Sequence, residues 1–500
     1  MKRKRYIFYL VMMLVVGVML SQVVAAGPED VEGHWAGAAI GKWTERRMIR
    51  GYPDGSFRPD APITRAEFVV LINRLFGYMT EDSVIFSDVG DEDWFALDVR
   101  RAAGYMQGYP DGTFRPNESI SRQEVAAVLV RVAELEEGGV IPFSDRIPEW
   151  SRPYVAAAVK AGLVKGYPDG TFKPENGITR AESVVIMDRL VSDVVLDGGI
   201  YEDLVTDGSV IVLSSAEMRN CHVRGDLYLA ENSGASVLAG TIVDGRIIIN
   251  SADRIDIRDV TARGVIVNRA GDISLSGGFD TVNVKTGSGR IGLAGGHVNN
   301  FFVESSAGGI MIDNNATIDN LVLNAPATVD GIGAIQLAVI NVSGSRIKQR
   351  PAKVILGEGV TATIAGILVG GEDAGDSSDG GGGSGSPGGG GGSGDDKPSH
   401  VKVKSIQVTP QTMLLQVGRT GSIKVTVTPA DASNKKVIWT SSDPGIATVD
   451  GSGKVTAVSP GVAVITAASA ENTKIKASCI VTVTEYNVIS NILQVTIEAR

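Results

Sequence analysis

The chain has 500 residues, of which 43% are hydrophobic and 21% charged, enough apolar material for several cores and too much for a wholly disordered chain. A formal charge of −10 argues against general nucleic-acid binding. Cysteine is confined to Cys221 and Cys479, which excludes a disulfide framework and a cysteine zinc site, whereas 62 glycines point to turns and linkers.

The first element is an export signal. Lys2 to Arg5 are all basic, Tyr6 to Leu20 form an apolar run, and Val24-Ala25-Ala26 supplies small residues for cleavage after Ala26. Residues 1–26 are therefore expected to be removed, leaving the remainder outside the cytoplasm and more acidic still. An uncleaved anchor over Tyr6 to Ala26 is the alternative, and no later stretch is long and apolar enough to span a bilayer.

Three copies of one module follow. Gly51-Tyr52-Pro53-Asp54-Gly55-Ser56-Phe57-Arg58-Pro59 returns at Gly108 and again at Gly166, with periods of 57 and 58 residues. Trp35, Trp94 and Trp150 precede the three copies. Pro-Asp-Gly is a tight turn, because proline pre-sets φ and glycine tolerates φ > 0. Thr64-x-x-Glu67, Ser121-x-x-Glu124 and Thr179-x-x-Glu182 are capping boxes, each opening an apolar helix. Each module is thus helix, loop, helix.

The capping box does not explain Arg65, Arg122 and Arg180, which occupy the first helical position, where unsatisfied N–H groups and the macrodipole disfavour positive charge. Two readings account for them. Each arginine, beside a helix N-terminus, forms a site for a carboxylate or other anion, or each pairs with an acid of a neighbouring repeat.

This set of tryptophan, Gly-Tyr-Pro-Asp-Gly-Thr-Phe-x-Pro and Ile-Thr-Arg-Ala-Glu motifs, over roughly residues 28–192, resembles surface-layer homology (SLH) domains. The resemblance implies a pseudo-threefold helical prism whose inter-repeat grooves bind pyruvylated secondary cell-wall polysaccharide of the peptidoglycan layer. It assigns Arg65, Arg122 and Arg180 to the acidic sugar, with Tyr52, Tyr109, Tyr167 and the three tryptophans as candidate groove walls. The tryptophans could instead fill the core, the reading favoured for each. On this view Arg65→Ala, Arg122→Ala and Arg180→Ala weaken wall binding without unfolding the module. Repeat two departs from the pattern: Trp94 to Gly108 spans 14 residues where the other repeats have 16, so its first helix is expected to be short and one groove is in doubt.

From Val194 to Gly370 charge thins and β-branched residues dominate. Three registers recur every 17 to 20 residues. One runs through Leu227, Ile247, Val265, Val282, Phe301, Leu321 and Ile340, a second through Val237, Ile255, Ile273, Ile291 and Ile310, and a third through Ile242, Val260, Phe279, Val298 and Ile318. Three short strands per coil predict a β-solenoid, of right-handed type, with seven coils. Extracellular solenoids of this kind can cleave acidic polysaccharides, which needs stacked carboxylates beside a basic residue. Asp244, Asp256, Asp259 and Asp313 read instead as solvated turn residues without a common column. The four histidines show no metal-ligand spacing.

Residues 370–399 are a Gly/Ser-rich tether. Gly380-x-Gly382-x-x-Gly385 within it formally matches a dinucleotide fingerprint, but no strand precedes it and no helix follows. Beyond it, alternations such as Ile423-x-Val425-x-Val427 and Cys479-x-Val481-x-Val483 suit a small all-β sandwich. Val437 to Pro444, Ala447 to Asp450 and Gly461 to Thr466 resemble the bacterial Ig-like group 2 domain, with Cys479 as a buried small hydrophobe.

The expected order is signal (1–26), SLH repeats (27–80, 81–138, 139–195), β-solenoid (196–369), linker (370–399), Ig-like domain (400–484) and a tail of unassigned structure (485–500). The function expected is that of a secreted, non-enzymatic protein on a Gram-positive-type cell wall or surface layer, with no cofactor, metal, nucleic acid or membrane partner after cleavage. Other surface proteins or glycans are further candidate partners. A wall-anchored polysaccharide lyase or hydrolase and an adhesin are the alternatives. Aligned acids with a nearby Lys or Arg on one solenoid face would favour the enzyme.

Overall fold

The computed structural model describes residues 29–370 and 401–484, apart from 136, 196–197, 287–288, 305–308, 358, 411, 417 and 460. The expected signal, all but the first residue of the linker and the C-terminal tail lie outside the described residues. Two compact units result, 29–336 with 346–351, and 337–345 with 352–484.

The first unit opens with six α-helices in three pairs: α1 (Gly37–Glu45), α2 (Arg65–Phe76), α3 (Ala96–Ala102), α4 (Arg122–Val132), α5 (Arg152–Lys160) and α6 (Arg180–Leu190). Thr64, Ser121 and Thr179 cap α2, α4 and α6, each accepting from the backbone of its Glu, which reaches back in a full capping box. α2 buries Phe68, Val69, Ile72, Leu75 and Phe76, each worth about 2 kcal/mol in transfer terms. α3 has 7 residues against 9 in α1 and α5, as the shorter spacing in repeat two requires.

The three repeats close a ring. Ile63 N–H donates to Ile178 O, Ile178 to Ile120 O, and Ile120 to Ile63 O, at 3.1 to 3.2 Å. The second helix of each repeat packs on the first helix of the next: α2 on α3, α4 on α5, and α6 back on α1. This is the pseudo-threefold arrangement the repeats imply.

α6 leads into a solenoid of about nine turns, two more than the seven read from sequence, because the winding starts at Asp193–Val195 and continues beyond the clearest alternations. Successive coils pair through parallel strands, as at Ile247 beside Val265 and Val282 beside Phe301, and the described winding ends in the antiparallel pair Thr361–Ile364 and Ile367–Gly370. The interior is a stack of Val, Ile and Leu.

Several expected register positions shift. Ile255 is paired with Ser236, not Val237, so Leu238 points inward and Val237 is half-exposed. Ile242 faces out, 48% exposed, while Val243 is buried opposite Ala262. Val260 pairs with Gly277 rather than Phe279, Ile310 stands before the Ile291–Ile312 pair, and Ile340 ends its strand instead of opening it. For the shifts in the first coils the cause is a corner in left-handed backbone: Asp203, Asn220, Gly240 and Asp259 stand one per coil with φ of 51 to 58°, a conformation that Asn, Asp and Gly tolerate.

One outer face of the first coils is apolar and is covered by the helices. Val194, Ile211, Tyr228 and Ile248 belong to the same core as Phe76, Leu129 and Leu190, and Phe76 meets Tyr228 edge-on at 5.4 Å. Arg246, ion-paired to Asp226 at 2.7 Å, donates to the carbonyls of Ala133 and Glu134 at the end of α4.

The second unit holds the Ig-like module. Gly461–Ser469 pairs antiparallel with Lys476–Thr484 and Val437–Ser441, Thr412–Gln416 adds a parallel edge, and Thr420–Ser422, Lys454–Ala457 and Ala447–Val449 form a second sheet. Its core joins Ile406, Ile423, Val455, Ile465 and Val481 around Cys479, which is fully buried as expected. Burial pushes the Cys479 thiol up to about 12, which makes it an inert packing group.

Candidate functional site: the grooves between helical repeats

Each motif arginine reaches into the following repeat around the ring. Arg65 donates through Nε to Phe114 O at 2.7 Å, through Nη2 to Gln107 O at 3.4 Å, and pairs with Glu124 at 2.6 Å. Arg122 repeats this with Phe172 O, Lys165 O and Glu182 (3.6 Å). Arg180 closes the cycle with Phe57 O, Arg50 O and Glu67 (3.3 Å). The glutamates are those of the capping boxes. The alternative in which each arginine pairs with an acid of a neighbouring repeat is therefore what the geometry contains. The three guanidiniums are nearly buried, with side-chain exposures of 2%, 10% and 12%. Removing one takes a partner from two carbonyls and a carboxylate of the next repeat, so alanine at these positions acts on the seam as well as on any ligand.

The tyrosines sit in the same seams. Tyr52 has Arg58 and Arg180 at 4.2 and 4.7 Å from its ring centroid, Tyr109 has Arg115 and Arg65 at 3.9 and 4.8 Å, and Tyr167 has Lys173 and Arg122 at 4.2 and 4.7 Å. Tyr109 donates to Glu124 at 2.8 Å, and burial together with this bond pushes its hydroxyl up to about 12. The rings are occupied by cations of the protein itself.

The tryptophans are the reverse. Trp35, Trp94 and Trp150 are 64%, 65% and 51% exposed, which corrects the core reading; Trp43 is the tryptophan that fills the core. Large exposed rings at three equivalent positions need a reason. Trp94 stands over α2 and lines a cavity with Arg50, Phe57, Glu67, Arg74 and Arg180. Arg50 and Arg74 were not singled out from sequence. Arg74 is partly buried, donates to Met48 O, and has its pKa lowered by burial and then by the like charge of Arg50. Arg131 and Arg189 stand in the same place in the other repeats, donating to Tyr105 O and Leu163 O. A last-turn arginine in each second helix, 9 residues beyond the motif arginine, was the available signal.

A further set also went unread. Asp30, Asp88 and Asp145 accept the N–H groups of Phe57 and Arg58, Phe114 and Arg115, and Phe172 and Lys173. The Phe57 amide foremost holds Asp30 below the usual carboxylate range. These aspartates fix each loop in place; each precedes its tryptophan by five or six residues.

On the solenoid, acids do share columns, contrary to expectation. Asp207, Arg224, Asp244, Arg263 and Asp280 follow one another on successive coils, and Asp256 shares a column with Asp313 and Asp330. The arginines close on them as ion pairs, Arg224 on Asp207, Arg258 on Asp256 and Arg290 on Asp313. His222 and His297 meet Asp244 and Asp319 at 3.0 and 2.9 Å. Among the described residues no three acids, histidines or cysteines converge as a metal would require.

Comparison with known proteins agrees with the modules. Residues 29–69, 85–126 and 142–182 match the S-layer homology domain, and residues 402–481 match the bacterial Ig-like domain (group 2). The chain thus carries three S-layer homology repeats, a β-solenoid and a bacterial Ig-like domain. It is 38% identical over 189 residues to cell surface glycoprotein 1 of Acetivibrio thermocellus, covering 34% of this chain and 8% of that protein. It is 36% identical over 168 residues to the cellulosome-anchoring protein of the same organism (31% and 38%). An amylopullulanase of Thermoanaerobacterium thermosulfurigenes is 38% identical over 170 residues (32% and 9%). The chain spans less than two fifths of each relative's length, and the shared part is the helical repeats.

Proposed function

We propose that the chain is a non-covalent anchor that holds its solenoid and Ig-like module on a Gram-positive-type cell wall by binding acidic, pyruvylated secondary wall polysaccharide in the grooves of the helical prism. The observation that carries this reading is exposed Trp94 lining a cavity with Arg50, Arg74 and Arg180, with Trp35 and Trp150 exposed at the equivalent positions of the other repeats. An indole face suits the apolar face of a sugar ring, and guanidiniums suit its carboxylate. The motif arginines, paired with the capping-box glutamates, hold the groove floor from beneath, while Trp35, Trp94 and Trp150 offer contact from above.

The solenoid serves as a display element. Its acids are aligned, but Asp207, Asp256 and Asp313 are each closed on by an arginine in contact, and that favours a structural ladder over acid–base chemistry.

The test is a pull-down of the full chain with isolated cell-wall sacculi, before and after mild acid strips ketal-linked acids. Binding that is lost on treatment is expected. Undiminished binding would remove the acidic sugar from the proposal, and no binding to either preparation would remove the anchor.

A further inference from the structure

The three grooves share one design but not one charge. The residue before each Gly-Tyr-Pro-Asp-Gly loop offers its carbonyl to a motif arginine, so Arg50, Gln107 and Lys165 are equivalent positions. All three side chains are exposed, and Arg50 lines the cavity beneath Trp94. Among the described residues no carboxylate lies within ion-pair distance of Arg50, Arg74 or Lys165. In the first groove Arg50 and Arg74 thus add two unneutralised guanidiniums to Arg180, whose charge Glu67 balances. In the third, Lys165 and Arg189 occupy the equivalent positions, with no carboxylate within ion-pair distance of either among the described residues, and Glu182 balances Arg122. The second differs twice. Gln107 carries no charge, and Arg131, besides the carbonyl it shares in kind with Arg74 and Arg189, donates to the Tyr154 hydroxyl at 3.2 Å with its guanidinium 4.8 Å from that ring's centroid.

Resting on the groove reading above, we infer that the residue before each Gly-Tyr-Pro-Asp-Gly loop sets the anion affinity of its groove, so that this chain grips an acidic polysaccharide through two grooves, those of Arg50 and Lys165, and not through the one at Gln107. Like charges placed together without a carboxylate repel each other until an anion arrives. A groove one cation short, with its remaining arginine engaged by a tyrosine, lacks that drive.

The test is calorimetric titration of the full chain with acidic oligosaccharides, prepared from isolated sacculi and short enough to fill one groove, with circular dichroism to confirm the fold of each variant. Wild type is expected to bind two per chain, Gln107→Arg three and Arg50→Gln one, the lost or gained site differing in affinity by about tenfold or more. Three equal sites in wild type, or a site count unmoved by both substitutions, would overturn the inference while leaving the groove reading intact. A wild-type chain that binds none would overturn both.

Discussion

At the start of each second helix a positive side chain is held where a helix N-terminus alone would repel it. The following repeat supplies the compensation: two carbonyls, a carboxylate and two aromatic rings surround Arg65. Arg65→Ala leaves Glu124 and two carbonyls without their partner in a nearly closed seam, and the expected cost is about 3–5 kcal/mol. Chemical denaturation checks this, and a variant as stable as wild type would show the seam to be dispensable. Trp94→Ala should do the opposite, leaving the melting temperature unchanged and weakening wall binding by about tenfold or more. The capping residues were legible because a capping box is local, readable within four positions. The arginine was only half legible: its misfit with the helix dipole announced a partner, yet that partner lies 59 residues away and is itself a capping glutamate whose presence was already explained. The exposure of the tryptophans was not legible, since an indole in a repeat is as suited to a core as to a groove.

The Gly-Tyr-Pro-Asp-Gly loops, at the scale of an element, are tied by their own aspartates. The Thr113 hydroxyl, then Arg115 and the Thr113 amide, bring Asp111 down to about 2 from an ordinary 3.8; the Thr171 hydroxyl and amide, then Lys173, do the same for Asp169. A folded pKa below the unfolded one means that the contribution is complete above pH 3.8 and is lost as pH falls through about 2. Amide exchange at Thr113 and Thr171 should therefore accelerate across that window, and Asp111→Asn should abolish the pH dependence in its own loop alone. Uniform exchange across the window would mean that these carboxylates do not hold the loops. The solenoid period was legible for a related reason of locality, as inward Val, Ile and Leu recur with each coil. Its register slipped at Val237 and Ile242 because the left-handed corner residues Asn220 and Gly240 turn the chain without breaking the alternation of hydrophobic residues on either side. A one-residue shift then exchanges inside for outside.

In the first unit as a whole, the helical ring and the first coils share one core and are expected to unfold as one body. The ring is closed by bonds from each repeat to another, so deleting residues 81–138 should abolish wall binding entirely instead of removing one groove's share. The coils complete that ring's core. Tyr228 and Ile248 are fully buried on the outer face of the solenoid, where the coil's own interior cannot cover them, and Phe76 and its neighbours close over them. Helical repeats isolated at residue 192 would expose the other half of this contact. Tyr228→Ala opens a cavity expected to cost about 3–5 kcal/mol, and because the lost contact joins the two parts, the helical and the strand signals should both melt earlier and still together. A variant in which the strand signal falls first while the helices melt at the wild-type temperature would show that the ring stands alone and the solenoid is only attached to it. If the two melt as one, the first coils are part of the anchor.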